Sequence, residues 1–106
     1  MNRGVYEGRS RAHYVSLINW TEGIAGFADT VDRAEAGKQL AAKFGGSLKE
    51  IYWTIGSYDI VAVSEAPDDD SATAFALSLG AQGNACTTTM RAFSADEMKG
   101  IIARTA

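Results

Sequence analysis

The amino-acid sequence predicts a single α+β domain in which two helices cover one face of a four-stranded antiparallel sheet. Segments rich in β-branched and aromatic residues alternate with segments whose apolar residues recur at helical spacing, in the order βαββαβ. Glycine or proline punctuates most of the boundaries between them. The chain has 106 residues, which is enough for one core and too few for two domains.

The N-terminal segment differs in character from the rest of the chain. Residues 1–12 carry three arginines and two glycines and show no apolar periodicity. We therefore expect residues 1–12 to form a flexible extension and residues 13–104 to form the folded domain.

The first strand and the first helix are marked by their composition and by their ends. His13–Trp20 is aromatic and β-branched and has the length of a strand. Asp29 or Thr30 is the predicted N-cap of a helix that ends before Gly45, because glycine tolerates the left-handed C′ conformation. The predicted apolar stripe of this helix consists of Phe27, Val31, Ala34, Ala41 and Phe44, with Leu40 beside it. Gly37 costs this helix roughly 1 kcal/mol relative to alanine, which suggests close packing at that position.

A hairpin and a second helix follow. Leu48–Ile55 and Tyr58–Glu65 are predicted to be antiparallel strands joined by a two-residue turn at Gly56-Ser57. Pro67 ends the third strand, and Asp68–Asp70 places negative charge where the next helix begins. The apolar stripe of that helix is Ala72, Phe75, Ala76 and Leu79.

The last part of the chain completes the sheet and adds a short helix. Gly80–Gly83 interrupts the second helix, and Asn84–Phe93 is the predicted fourth strand. Ser94 and Glu97 have the spacing of a capping box, so a C-terminal helix is expected to run to about Ala103. Right-handed crossovers in both βαβ units give a ferredoxin-like sandwich with both main helices on one face of the sheet.

The strands are apolar on both alternating sets of positions, whereas a sheet covered on one side should be apolar on one set only. The opposed sets are Val15 and Leu17 against Tyr14, Ile18 and Trp20; Leu48 and Tyr52 against Ile51, Trp53 and Ile55; and Ile60 and Ala62 against Val61 and Val63. Burying about 600 Å² of this surplus corresponds to roughly 15 kcal/mol before association costs. We therefore predict a homodimer, or a higher homo-oligomer, formed through the open sheet face.

The composition of the chain argues against several functional classes. The net charge of −3 without long runs of like charge argues against a nucleic-acid or anionic-membrane binder, and no apolar run is long enough to span a membrane. Cys86 is the single cysteine and His13 the single histidine, so no disulfide framework and no zinc-site pattern is present. We expect a cytoplasmic protein without a metal or an organic cofactor.

Five short motifs carry a family resemblance. They are Tyr52–Asp59, Glu65–Asp68, His13–Leu17, Gly45-Gly46 and Arg91–Ser94. Together they resemble the GYD domain family, whose name describes the pattern formed here by Gly56, Tyr58 and Asp59. The resemblance implies a ferredoxin-like domain of the dimeric α+β barrel type, from a family found mostly in bacteria and archaea. It implies no established activity.

Three side chains are candidates for acid–base chemistry. His13 could exchange a proton near neutral pH. Asp59 and Glu65 lie at the two ends of one apolar strand face, where they could orient a ligand. The alternatives are that His13 is a partly exposed packing residue and that both carboxylates are simply solvated. Tyr58 and Asp59 are adjacent on a predicted strand and therefore point to opposite faces, so we interpret the motif as turn structure rather than as a catalytic pair.

Aromatic residues on the strands suggest a binding site. Tyr14, Trp20, Tyr52, Trp53 and Tyr58, with Phe93, are the candidates for the wall of a ligand pocket. Three functions are consistent with the sequence. The first is a homo-oligomeric module that binds a small apolar or aromatic metabolite, the second is a cofactor-free monooxygenase- or isomerase-like enzyme, and the third is a purely structural assembly module.

Overall fold

The structure, a computed structural model, describes residues 11–20, 29–81 and 85–105. Its elements are β1 (Ala12–Trp20), α1 (Thr30–Lys43), β2 (Ser47–Trp53), β3 (Ile60–Ala66), α2 (Asp69–Ala81), β4 (Ala85–Ala92) and α3 (Ala95–Ala103). The predicted order and the C-terminal helix are confirmed. Of the predicted extension, residues 1–10 lie outside the described residues, and so does Phe27 of the predicted helix stripe. Ala12 begins β1 and is buried, so the strand starts one residue earlier than predicted.

The sheet has the strand order β2-β3-β1-β4, and its three strand pairs are antiparallel. Two βαβ units place their second strands on either side of the central pair, which gives this order. The ferredoxin-like α+β fold is therefore confirmed. Helices α1 and α2 pack on the sheet and on each other, whereas α3 makes no comparable contact with another described element.

The two faces of the sheet differ in their surroundings. The covered face, which lies under α1 and α2, presents Ala12, Tyr14, Ser16, Ile18 and Trp20 of β1 and Ile60, Ala62, Ser64 and Ala66 of β3. The open face presents Val15 and Leu17 of β1, Val61 and Val63 of β3, Tyr52 of β2 and Met90 of β4. The core centres on Ala12, Tyr14 and Ala66 of the covered face, against which Ala72 of α2 packs.

A β-bulge in β2 changes the predicted alternation of that strand. Leu48 pairs with Ser64 and Ile51 pairs with Ala62, and the pairing shifts register between Leu48 and Glu50. The extra residue puts Leu48 and Ile51 on the same covered face. The prediction that Leu48 shares a face with Tyr52 is therefore wrong.

The connection between β2 and β3 is longer than the predicted two-residue turn. β2 ends at Trp53 and β3 begins at Ile60, so Tyr58 and Asp59 lie in a loop rather than on a strand. The loop is closed by a hydrogen bond from the Thr54 N–H to the Asp59 carbonyl (2.8 Å) and by one from the Thr54 hydroxyl to the Tyr58 carbonyl (2.6 Å). The argument that Tyr58 and Asp59 face opposite sides of a strand consequently does not apply.

Helix α1 ends as predicted, in a Schellman motif. The Gly45 N–H donates to the Ala42 carbonyl and the Gly46 N–H to the Ala41 carbonyl, with Gly45 at φ +80°. A Cβ on Gly46 would lie 2.6 Å from the Glu65 carbonyl oxygen, so glycine is required where α1 approaches β3.

The predicted stripe of α1 is wrong at its N-terminal end, because Val31 is 65% exposed. The side of α1 that faces the sheet includes Thr30, Arg33, Ala34, Gly37 and Leu40. These positions repeat at three- and four-residue spacing along a line that leaves Val31 at the solvent edge.

Candidate functional site

A pocket of about 180 Å³ lies between the covered face and helices α1 and α2. The sheet contributes Ser16, Ile18, Trp20, Leu48, Ile51, Ile60, Ala62 and Ser64; α1 contributes Thr30, Arg33, Ala34, Ala36, Gly37 and Leu40; and α2 contributes Phe75 and Leu79. Most of these side chains are aliphatic or aromatic, which is typical of sites that bind small molecules.

Gly37 contributes to the pocket by having no side chain. A Cβ built at this position would meet no described atom within 4 Å. The close packing that the sequence suggested for Gly37 is therefore absent, and the glycine instead widens the space between α1 and the sheet. Ala34 and Ala36, the small neighbours of Gly37 on α1, also line the pocket.

Few polar groups line the pocket, and most have a protein partner. The Ser16 and Thr89 hydroxyl oxygens are 3.0 Å apart, and the Trp53 indole N–H donates to the Thr30 hydroxyl at 2.9 Å. Arg33 Nε lies 3.1 Å from Asp29 Oδ1, one helical turn away. These contacts hold Thr30 and Arg33 at the α1 side of the pocket.

The Gly-x-Tyr-Asp motif joins the β2–β3 loop to the end of β1. The Asp59 carboxylate accepts a hydrogen bond from the Trp20 N–H (2.9 Å), and the Asp59 N–H donates to the Ile18 carbonyl (2.9 Å). Gly56 takes φ +141°, which is open to glycine and strained for other residues. Because Ile18 and Trp20 both line the pocket, Asp59 fixes the part of its wall that β1 supplies.

A second polar cluster ties the start of α2 to the sheet. The buried Tyr14 hydroxyl donates to the Asp69 carboxylate, and Arg91 Nε lies 3.6 Å from the same carboxylate. The Arg91 guanidinium also lies over the Tyr14 ring, 5.6 Å from its centroid, and over the Phe93 ring at 4.5 Å. Burial, followed by the hydrogen bond to Asp69, raises the pKa of Tyr14 to about 12.

A third cluster lies at one end of the open face, around Glu65. His13 Nε2 lies 3.1 Å from Glu65 Oε2, Arg11 Nε donates to Glu65 Oε1 at 3.2 Å, and Lys49 Nζ is 4.0 Å from Oε2. The Arg11 guanidinium also donates to the Gly45 carbonyl. His13 Nδ1 is buried and has no hydrogen-bond partner among the described residues.

The predicted site residues are distributed over several places. Of the catalytic candidates, His13 and Glu65 are in contact on the open face, and Asp59 is in the loop at the other end of β1. None of these three lines the pocket as the described residues define it.

The aromatic candidates do not form one wall. Trp20 lines the pocket, and the Trp53 indole donates a hydrogen bond to Thr30, another lining residue. Tyr52 lies on the open face and is 56% exposed, and its hydroxyl donates to the Glu50 carboxylate. Tyr14 belongs to the cluster at Asp69, Tyr58 is half-buried in the β2–β3 loop, and Phe93 is 48% exposed beside Arg91.

Sequence reasoning missed the helical side of the pocket. Arg33 was not singled out, because a lone arginine on an amphipathic helix is normally solvated. Gly37 did give a signal, a helix-weakening residue inside the apolar stripe, but that signal indicates close packing and empty space equally well.

Two further observations bear on the class of protein. Within residues 11–20, 29–81 and 85–105 there is no group of three or more histidine, cysteine, aspartate or glutamate side chains placed to hold a metal ion. None of the described helices has the length and apolarity needed to cross a membrane.

Comparison with known proteins gives one result. No curated protein and no solved structure matches the chain. The family model described as GYD domain matches residues 14–102, which cover all the elements of the fold except the first two residues of β1 and the last residue of α3. The chain therefore belongs to the GYD domain family.

Proposed function

We propose that this domain binds a small apolar molecule in the pocket between the sheet and helices α1 and α2. The observation that carries the proposal is the pocket itself, with its volume of about 180 Å³ and its mostly apolar walls. An apolar cavity of roughly 150 Å³ in another protein stays dry and binds benzene. A pocket of this size therefore fits one aromatic ring with a small substituent, or an aliphatic group of similar bulk.

The lining favours binding over catalysis. Arg33 is the one ionisable side chain among the described lining residues, and an arginine stays protonated in proteins. The side chains suited to proton transfer lie elsewhere, because His13 and Glu65 pair on the open face and Asp59 accepts a backbone hydrogen bond.

The binding proposal is tested with a neutral probe and a variant that fills the pocket. Toluene binding is measured by ligand-observed NMR for the unaltered protein, for Gly37→Leu and for Gly100→Leu. A side chain at position 37 enters the pocket, whereas position 100 lies on the exposed α3 helix. We expect toluene to bind the unaltered protein and Gly100→Leu, and binding to be lost in Gly37→Leu. Equal binding to all three would place toluene outside the pocket and refute the proposal.

We also propose that two copies associate through their open faces. This face carries the partly exposed Val15, Leu17, Val61 and Val63, beside Tyr52 (56% exposed) and Met90 (44% exposed). An apolar face of this kind is self-complementary under two-fold symmetry, since each residue can meet its own copy or a neighbour. Association would also desolvate the Glu65 cluster at the end of the face.

Sedimentation equilibrium tests the association. Val63→Lys puts a charge at the centre of the open face, and Ala42→Lys puts the same charge on an exposed position of α1. We expect the mass of a dimer for the unaltered protein and for Ala42→Lys, and the mass of a monomer for Val63→Lys. A monomeric unaltered protein at about 100 μM would contradict the proposal, since specific interfaces of ordinary size give dissociation constants below that concentration.

A further inference from the structure

We propose that the ligand of the pocket is an apolar monocarboxylate of one-ring size whose carboxylate is bound by Arg33. This inference rests on the proposed function and names the chemical class of the ligand. Arg33 is the one charged residue among the described residues that line the pocket. The other described lining residues are aliphatic, aromatic, glycine or hydroxyl-bearing, so Arg33 is the residue among them that can pair with a charged group of a ligand.

The guanidinium of Arg33 uses one of its three nitrogen atoms in a described contact. Its Nε atom is engaged by Asp29, at 3.1 Å, in an ion pair within one turn of α1. The side chain of Asp29 is 56% exposed, so this pair is well solvated and contributes little to stability. A guanidinium has five N–H donors, and within the described residues only the Nε donor has a partner, so the donors of the two Nη atoms can serve a second carboxylate.

The charge of Arg33 selects the ionic state of the ligand. A carboxylate that enters an apolar pocket loses its hydration, and only a charge-assisted hydrogen bond offsets that loss. One guanidinium that already contacts Asp29 can offset the lost hydration of one further carboxylate, so a monoanion fits better than a dianion. A cationic ligand would meet Arg33 without a described counter-charge on the pocket wall.

The apolar part of the ligand is set by the volume and by the aromatic side chains. About 180 Å³ holds one ring and a short substituent. Trp20, at the end of β1, and Phe75, on α2, line the pocket from opposite layers. Aromatic side chains favour another ring in offset or edge-to-face contact. Phenylacetate is therefore the representative probe for this class.

The test compares phenylacetate with phenylacetamide, which has the same shape and no charge. Calorimetric titrations at pH 7 use the unaltered protein, Arg33→Gln and the matched variant Lys38→Gln. Lys38 lies on the same helix and is exposed, so its replacement changes the net charge equally without touching the pocket. We expect the unaltered protein and Lys38→Gln to bind phenylacetate at least about ten-fold more tightly than phenylacetamide. We expect Arg33→Gln to lose this preference and to keep its affinity for the amide.

Each other outcome has a definite consequence. If the unaltered protein binds the acid and the amide equally, or if Arg33→Gln keeps the preference, the inference fails while the proposed apolar site stands. If phenylacetate, phenylacetamide and toluene all fail to bind, the proposed function fails together with the inference. Circular dichroism of each variant establishes that the change in binding does not come from unfolding.

Discussion

Replacing Gly37 by alanine is expected to stabilise the domain. Gly37 lies in the interior of α1, where glycine costs about 1 kcal/mol relative to alanine. The new methyl group would meet no described atom within 4 Å, so no steric penalty opposes this gain. The free energy of unfolding should therefore rise by about 1 kcal/mol.

Chemical and thermal unfolding measure this effect. For a domain of this size, 1 kcal/mol corresponds to an increase in Tm of roughly 4–8 °C. Gly100→Ala is the matched control, because a Cβ there also meets no described atom within 4 Å. Gly100 lies in α3, which packs little against the rest of the domain, so its gain should be the smaller of the two.

The opposite result at Gly37 would be informative. If Gly37→Ala lowered the free energy of unfolding by 1 kcal/mol or more, α1 would have to pack directly against the sheet at this point. The space that defines the pocket would then be absent in solution, and the argument for ligand binding would lose its main observation.

Three further results are expected. Asp59→Ala should lower the free energy of unfolding in urea by about 1–3 kcal/mol, because the Trp20 N–H loses a charged acceptor. Asp59→Asn should lower it less, and equal losses for the two variants would contradict this role of Asp59. Gly46→Ala should lower Tm, since its Cβ would lie 2.6 Å from the backbone oxygen of Glu65; an unchanged Tm would mean that the backbone yields there. Folding raises the pKa of Tyr14 from about 10 to about 12. The contribution of its protonated hydroxyl to the free energy of unfolding is therefore complete below pH 10 and is lost between pH 10 and 12. The stability difference between the unaltered protein and Tyr14→Phe should therefore shrink over that interval, by roughly 3 kcal/mol, and a constant difference would refute the assignment.

The elements of this fold follow closely from local chemistry. The Ser94–Glu97 capping box is present at the start of α3, and Gly45-Gly46 ends α1 through two backbone hydrogen bonds. Such signals act over three or four residues, so a sequence displays them completely. The bulge in β2 is different, because its position depends on how β2 meets β3, and alternation of residues alone cannot register an insertion.

The site was less accessible from the sequence than the fold. Its lining comes from five elements, and only Trp20 was among the residues expected to bind a ligand. Aromatic residues mark a site from sequence only when they share a face. Tyr52 alternates with Ile51 onto the open face, and Tyr58 lies in the longer loop between β2 and β3. Arg33 and Gly37 gain their significance from the distance between α1 and the sheet, which is a tertiary property that no local pattern encodes.

The bulge in β2 leaves Lys49 without a partner in β3, so neither the chemistry nor the presence of this residue determines which side chains of the strand face the helices. The Lys49 side chain is exposed and reaches Glu65 only at 4.0 Å, so its replacement by alanine should be tolerated. Deleting Lys49 should be tolerated as well, because it is the extra residue of the bulge. Without it, Leu48 and Ile51 would lie two positions apart, and ordinary alternation would keep both under the helices, opposite the same residues of β3. A single-codon deletion here should thus be no more damaging than a substitution at the same site.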